Sequence, residues 1–211
     1  MSKILPSSFY HRPALDVARA LIGMRLVRQL GDQRVAGRII EAEAYQGEED
    51  LACHARAGRT ARTAVMYGPP GRAYIYFTYG MHWCLNAVTG AAGEPAAVLI
   101  RALEALEGVD LIAARRAPQP RPLWLNGPAK LCQAFEIDRQ LNGADLTAPQ
   151  DGLWIEADEP VSETQIQTSP RIGIQNVPEP WRSIPWRVFL KEGQSLSGSS
   201  TPAASRFARR S

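Results

Sequence analysis

The sequence predicts an α+β fold in a single compact domain, and three observations carry that expectation. Several short stretches alternate apolar with polar residues and follow one another across tight turns, the pattern of antiparallel strand pairs. Stretches with apolar residues at helical spacing are few and short. Strands and helices do not alternate with the rhythm of βαβ units, so a doubly wound parallel sheet is not expected.

In chain order, residues 13–22 read as a helix: Pro13 is tolerated in a first turn, Leu15, Ala18, Leu21 and Ile22 recur at helical spacing, and Gly23 ends it. Residues 24–30 and 35–45 read as strands joined by a turn at Gly31-Asp32. In the second strand, alternation puts Glu41, Glu43 and Tyr45 on one face and Ala42 and Ala44 on the other. Gly68-Pro69-Pro70-Gly71 is a turn. Residues 73–78 and 82–88 form a hairpin with Tyr79-Gly80 near its apex, and residues 96–102 form a strand leading into a helix over 104–114. Prolines break regular structure over 118–122. A short helix over 129–135 follows Asn126-Gly127-Pro128, and residues 153–157 and 186–190 read as strands. The domain is expected to span residues 1–190, and residues 191–211 read as a disordered basic tail.

A chain of 211 residues, 45% hydrophobic and 21% charged, buries one good core and excludes wholesale disorder. No apolar run spans a bilayer, the N-terminus lacks the apolar stretch of a signal peptide, and three widely spaced cysteines argue against a disulfide framework. A cytoplasmic location is expected, nucleoid-associated if the source is bacterial. The net charge of +3 comes from the C-terminal end, since residues 1–186 carry 19 basic against 20 acidic side chains. One stretch departs from this balance. Residues 51–93 contain no Asp or Glu, but hold Arg56, Arg59, Arg62 and Arg72 interleaved with Tyr67, Tyr74, Tyr76 and Tyr79. That composition suits a polyanion held through phosphate contacts and base stacking.

Four features are candidates for chemistry, each with a plainer alternative. Gly68 to Arg72 lacks the Gly-Lys-Ser/Thr ending of a phosphate-cradling loop and reads as a turn. Cys53-His54 and His82-Trp83-Cys84 offer four zinc-type ligands, but neither pair has structural-zinc spacing and buried strand cysteines are common. Glu41 and Glu43 on one strand face form a carboxylate pair able to supply an acid or base, unless Glu41 faces solvent or pairs with an arginine. Tyr74 and Tyr76 share a strand face and suit a core, whereas Tyr79 at a hairpin apex is a candidate for insertion into a base stack.

Taken together, Ile-Ile-Glu-Ala-Glu-Ala-Tyr at 39–45, His54, Gly-Arg-Thr at 58–60, Tyr-Ile-Tyr-Phe-Thr-Tyr-Gly-Met at 74–81, Leu-Asn-Ala at 85–87, Val-Leu-Ile-Arg-Ala-Leu-Glu at 98–104 and Asn-Gly-Pro-Ala-Lys-Leu-Cys-Gln at 126–133 form an ordered set of motifs. Over residues 15–190 the chain resembles the 3-methyladenine DNA glycosylases of the alkyladenine (methylpurine) type. The resemblance implies a curved, mainly antiparallel sheet and hydrolysis of the N-glycosidic bond of damaged purines in double-stranded DNA, by a monomer with no metal or organic cofactor. It implies that Glu43 activates water with help from Arg101, and that a flipped base stacks between Tyr45, His54 and Tyr76. It further implies that Tyr79 fills the gap left in the duplex beside Met81, that Asn86 disfavours guanine, and that the backbone carbonyl of Ile174 positions the water. Arg56, Arg59, Arg62 and Lys130 are the candidate contacts to the DNA backbone, Lys130 having a capping role as its alternative.

Only Lys3, Lys130 and Lys191 are lysines, so a Schiff-base lyase activity is not expected. Two rival classes are a damaged-nucleic-acid binding module without catalysis, and a zinc hydrolase or deaminase built on Cys53, His54, His82 and Cys84.

Overall fold

The computed structural model describes residues 3–159 and 161–191. Strands β1 (Arg25–Leu30), β2 (Gln33–Gln46), β3 (Ala73–Thr78), β4 (His82–Val88), β5 (Ala96–Glu107), β6 (Leu153–Glu156), β7 (Ile166–Ser169) and β8 (Arg187–Leu190) form one sheet. Its main path runs β3-β4-β5-β2-β1-β6, β8 joins β2 to β7, and every pairing is antiparallel. Among the described residues, four α-helices surround it: α1 (Ser7–Tyr10), α2 (Ala14–Leu21), α3 (Val109–Arg116) and α4 (Pro128–Ala134). This is the expected α+β architecture. No described helix is long and apolar enough to cross a membrane.

The centre is β2, whose length lets it serve three neighbours. Along one edge its first half pairs with β1 and residues 41–43 pair with β8, while residues 36–46 face β5 on the other edge. The register with β5 slips on both sides of Glu41, where the edge partner changes. A bulge bends its strand and increases local twist, so the sheet curves at this point.

The two faces of the curved sheet differ. Ala42 and Ala44 on β2, Ala73 and Ile75 on β3, Leu85 and Ala87 on β4, and Val98 and Ile100 on β5 face the main apolar core. Helix α2 fills that core with Val17, Ala18 and Leu21, and α4 adds Leu131 and Ala134. On the opposite face, Tyr74, Val88 and Ala97 belong to a smaller cluster against which Tyr45 and Tyr76 pack.

Several elements differ from expectation. The helix expected over 104–114 begins only at Val109, because β5 continues to Glu107. Residues 102–107 favour helix locally, but Leu103, Glu104, Ala105 and Glu107 lie opposite residues of β2, and pairing within the sheet prevails. Gly108 makes the change of direction at φ +65, where a Cβ would come within 2.5 Å of the Arg34 carbonyl. Helix α1 and strand β7 were not expected, as Ser-Ser-Phe-Tyr and Ile-Gln-Thr-Ser hold too few apolar residues to show a period, unlike the equally short but more apolar β6 and β8. Of the basic tail expected over 191–211, residues 192–211 lie outside the described residues, and Lys191 is exposed.

Candidate active site

Strand alternation assembles a polar, aromatic surface on the second face of the sheet. Tyr74 lies opposite Asn86, Tyr76 opposite Cys84, Glu43 opposite Leu99, and Tyr45 opposite Ala97. The loop after β2 brings His54 over this surface, and residues 172–174 close it from the other side. The resulting cavity holds about 360 Å³ and is lined by Tyr45, His54, Tyr76, Asn86, Arg101 and Ile174 among others. That volume lies in the range of pockets that hold small organic ligands, about 300–1,000 Å³.

The aromatic walls are locked. The His54 and Tyr76 rings meet edge to face with centroids 4.4 Å apart. His54 Nδ1 lies 3.0 Å from the Tyr74 hydroxyl. Burial, reinforced by repulsion from Arg62 and Arg56, lowers the His54 pKa to about 4, so the ring is neutral at pH 7. Asn86 Nδ2 donates to the Tyr74 carbonyl at 2.9 Å, fixing that amide in the cavity wall.

Glu43 is fully buried and stands behind the wall rather than in it. Its Oε1 accepts the Ile172 backbone N–H at 2.7 Å. Its Oε2 accepts the Tyr45 hydroxyl at 2.8 Å and Arg101 Nη1 at 3.1 Å. Tyr45, Arg101 and Ile172 all line the cavity, so the carboxylate lies one hydrogen bond from it. Burial raises the Glu43 pKa above the ordinary carboxylate value; Arg101, the Ile172 N–H and the Tyr45 hydroxyl oppose the rise, and Glu41 adds to it. Burial also works against the Arg101 charge, but Glu43 and Glu41 outweigh it and hold the guanidinium charged. Glu41 does pair with arginine: its Oε1 accepts Arg101 Nε at 3.0 Å and Arg187 Nε at 2.6 Å.

At the rim, the hairpin apex projects Tyr79, 84% exposed and at φ +52, with Met81 68% exposed. Tyr79 also lines the cavity mouth. Arg56, Arg59 and Arg62 are exposed nearby in sequence to His54, and the Arg62 guanidinium lies 5.3 Å over the Tyr76 ring. Lys130 is only half-buried on α4, and its Nζ donates to Asn126 Oδ1 at 2.7 Å, a contact that ties the helix to the preceding loop. Ile174 lines the cavity, and its carbonyl accepts the Val177 N–H at 3.0 Å. Of the zinc-type set, Cys53 and Cys84 are buried and His82 is exposed at the hairpin. No group of three His, Cys, Asp or Glu among the described residues is arranged to hold a metal ion.

Several participants were missed by sequence reasoning. Arg171 and Asp50 are both fully buried and joined at 2.6 and 2.9 Å through the two Nη atoms. Arg171 also donates to the Ala44 carbonyl at 2.9 Å, and its guanidinium lies 4.7 Å from the Tyr45 ring centroid and 5.1 Å from that of Trp186. The only signal in the sequence was the Arg171-Ile-Gly-Ile segment itself, because the partner lies 121 residues away.

Comparison with known proteins bears on the same span. Residues 8–194 match the family model described as Methylpurine-DNA glycosylase (MPG). A protein of Carboxydothermus hydrogenoformans is 47% identical over 92% of this chain and 98% of its own length. One of Methanocella arvoryzae is 49% identical over 92% and 96%, and one of Myxococcus xanthus 45% identical over 94% and 95%. All three carry the name "Putative 3-methyladenine DNA glycosylase". With a family model matched across nearly the whole chain and relatives this similar over nearly their full length, the chain belongs to the methylpurine-DNA glycosylase family.

Proposed function

We propose that this protein flips alkylated or deaminated purines, 3-methyladenine among them, out of double-stranded DNA and hydrolyses their N-glycosidic bond as a monofunctional, monomeric glycosylase. The observation that carries the reading is the buried carboxylate of Glu43, held by Arg101, Tyr45 and the Ile172 N–H immediately behind a cavity walled by Tyr45, His54 and Tyr76.

A base inside a duplex is out of reach of such a cavity, so it must rotate out, at a cost of a few kcal/mol that is least for a lesion that pairs poorly. Tyr79, large, exposed and held at the apex of a two-stranded hairpin, suits the space the base vacates. The exposed arginines 56, 59 and 62 supply charge for the flanking phosphates. Alkylation at N3 or N7 makes a purine cationic and a good leaving group, and the faces of Tyr45 and Tyr76 attract such a ring by about 0.5–2 kcal/mol beyond ordinary stacking. As the bond to the base lengthens, the sugar becomes oxocarbenium-like. The ionised Glu43 then stabilises that charge and takes the proton of the attacking water. Arg101 favours the ionised form of Glu43, which burial disfavours.

The test is product analysis on duplexes carrying 3-methyladenine, 7-methylguanine, hypoxanthine or ethenoadenine. The expected product is free base with the strand intact until alkali is added, and borohydride should trap no protein–DNA adduct. Failure to release any of the four bases would overturn the reading, and an adduct lost on changing Lys130 would overturn its monofunctional part.

A further inference from the structure

We propose that the buried Asp50–Arg171 pair sets the charge balance of the Tyr45 wall and thereby allows a cationic purine to stack there. The inference rests on the glycosylase reading above and deepens it by assigning a determinant of selectivity between charged and neutral lesions. Tyr45 lines the cavity, whereas Arg171 is fully buried and does not reach it, so the guanidinium takes the ring from its far side, 4.7 Å from the centroid. A positive charge on one face of an aromatic ring opposes a second positive charge on the other, because both draw on the same quadrupole and repel across it. Around the cavity, Arg101 is already balanced by Glu43 and Glu41. Asp50 does the same for Arg171 through two charge-assisted bonds of 2.6 and 2.9 Å in a region shielded from water. With the pair intact, the wall presents a nearly neutral support and the ring keeps its attraction for a cation. Without the carboxylate, the wall is positive.

Asp50 and Arg171 therefore act through Tyr45, as positioning and tuning residues, and their signature is a difference between substrates rather than a general loss. The experiment compares 7-methylguanine, which is cationic, with hypoxanthine, which is neutral, in one duplex sequence. It reads the enzyme concentration that gives half-maximal single-turnover release. In Asp50→Asn that concentration should rise roughly tenfold more for 7-methylguanine than for hypoxanthine, as expected for an unscreened charge at this range. Because Asp50→Asn leaves the Arg171 charge buried without its carboxylate, which is destabilising, Arg171→Met is the second variant, in which the charge left behind keeps two backbone donors. There Asp50, still held by N–H groups of Gln46 at 3.3 Å and Ala52 at 3.0 Å, should shift the difference towards the cationic lesion. An unchanged difference between the two lesions in whichever variant folds overturns the proposal, even if both lesions are processed more slowly. Wild-type enzyme that releases neither of these bases, and neither 3-methyladenine nor ethenoadenine, overturns the glycosylase reading instead.

Discussion

Replacing Glu43 by Gln separates catalysis from packing, and the structure bounds both. The two side chains have nearly the same volume, but the carboxylate accepts on both oxygens: from Ile172 N–H at one, and from Tyr45 and Arg101 at the other. An amide has one acceptor end. Whichever way it turns, its NH₂ faces either the Ile172 N–H or the Arg101 guanidinium, leaving one buried donor unsatisfied at about 1–3 kcal/mol. Two factors limit the loss of stability. Arg101 keeps Glu41. Moreover, a carboxyl whose folded pKa is raised contributes fully below its unfolded pKa and loses that contribution as pH rises through the folded one, so ionised Glu43 itself costs stability at neutral pH. The variant should therefore fold. Its release rate should fall by roughly 10²–10⁴-fold for the lost general base, and further for the lost charge opposite the sugar. Lesion-duplex affinity should change little. Single-turnover base release and equilibrium binding, measured on one folded preparation, test this. Near wild-type release would remove Glu43 from the mechanism and turn attention to Glu41. Equal losses in rate and affinity would mean that Glu43 only packs.

Four further outcomes are expected. Tyr79→Ser should leave the melting temperature nearly unchanged, since the side chain is exposed, and should weaken release more from matched than from mismatched duplexes; equal effects would contradict its role as a wedge. Asn86→Ser removes the amide fixed by the Tyr74 carbonyl and should raise release of normal guanine, measured on undamaged DNA; no rise would leave the steric role without support. Because Glu43 must be ionised to act and burial raises its pKa, single-turnover release should climb with pH along an acid limb lying above the ordinary carboxylate range. Arg101→Gln, which removes the charge that opposes that rise, should move the limb to higher pH, and a limb that stays in place would dissociate it from Glu43.

Most of the sheet was legible because its strands alternate cleanly. Residues 73–78 and 82–88 have the expected bounds, and the expected division of β2 into a Glu41-Glu43-Tyr45 face and an Ala42-Ala44 face holds in space: both carboxylates and Tyr45 meet one cluster while the alanines enter the main core. Residues 104–107 were misread because a helix-favouring sequence is held as strand by β2, information that lies some seventy positions away. Within the candidate site, alternation alone grouped Glu41, Glu43 and Tyr45 on one face and Tyr74 with Tyr76 on another, whereas Asn86 and Arg101 were singled out only through the family resemblance. Asp50 and Arg171 were not readable, as one acid in an acidic run and one arginine among many carry no local pattern. Their pairing exists only after the segment beyond β7 folds over the sheet.

That late segment clarifies how the fold tolerates its chemistry. Two carboxylates on a buried sheet face would be prohibitive alone, and Arg101 from β5 offsets only part of the cost. The rest comes from β8 and the stretch before it. Arg187, opposite Glu43 in register, turns to Glu41, and Ile172 supplies the backbone donor to Glu43. The same strand sends Val188 into the main core. Strand β8 is thus bound to both faces at once, as β2 is, and closing the active-site charges is coupled to completing the apolar core. The bulge at Glu41 is where these demands meet, because there β2 exchanges β1 for β8 along its edge. A strand that paired with β1 throughout would bury Glu41 and Glu43 without the second arginine. The local irregularity in the sheet is therefore tied to the burial of the catalytic carboxylate proposed here, and its place in the chain follows from where the charge sits.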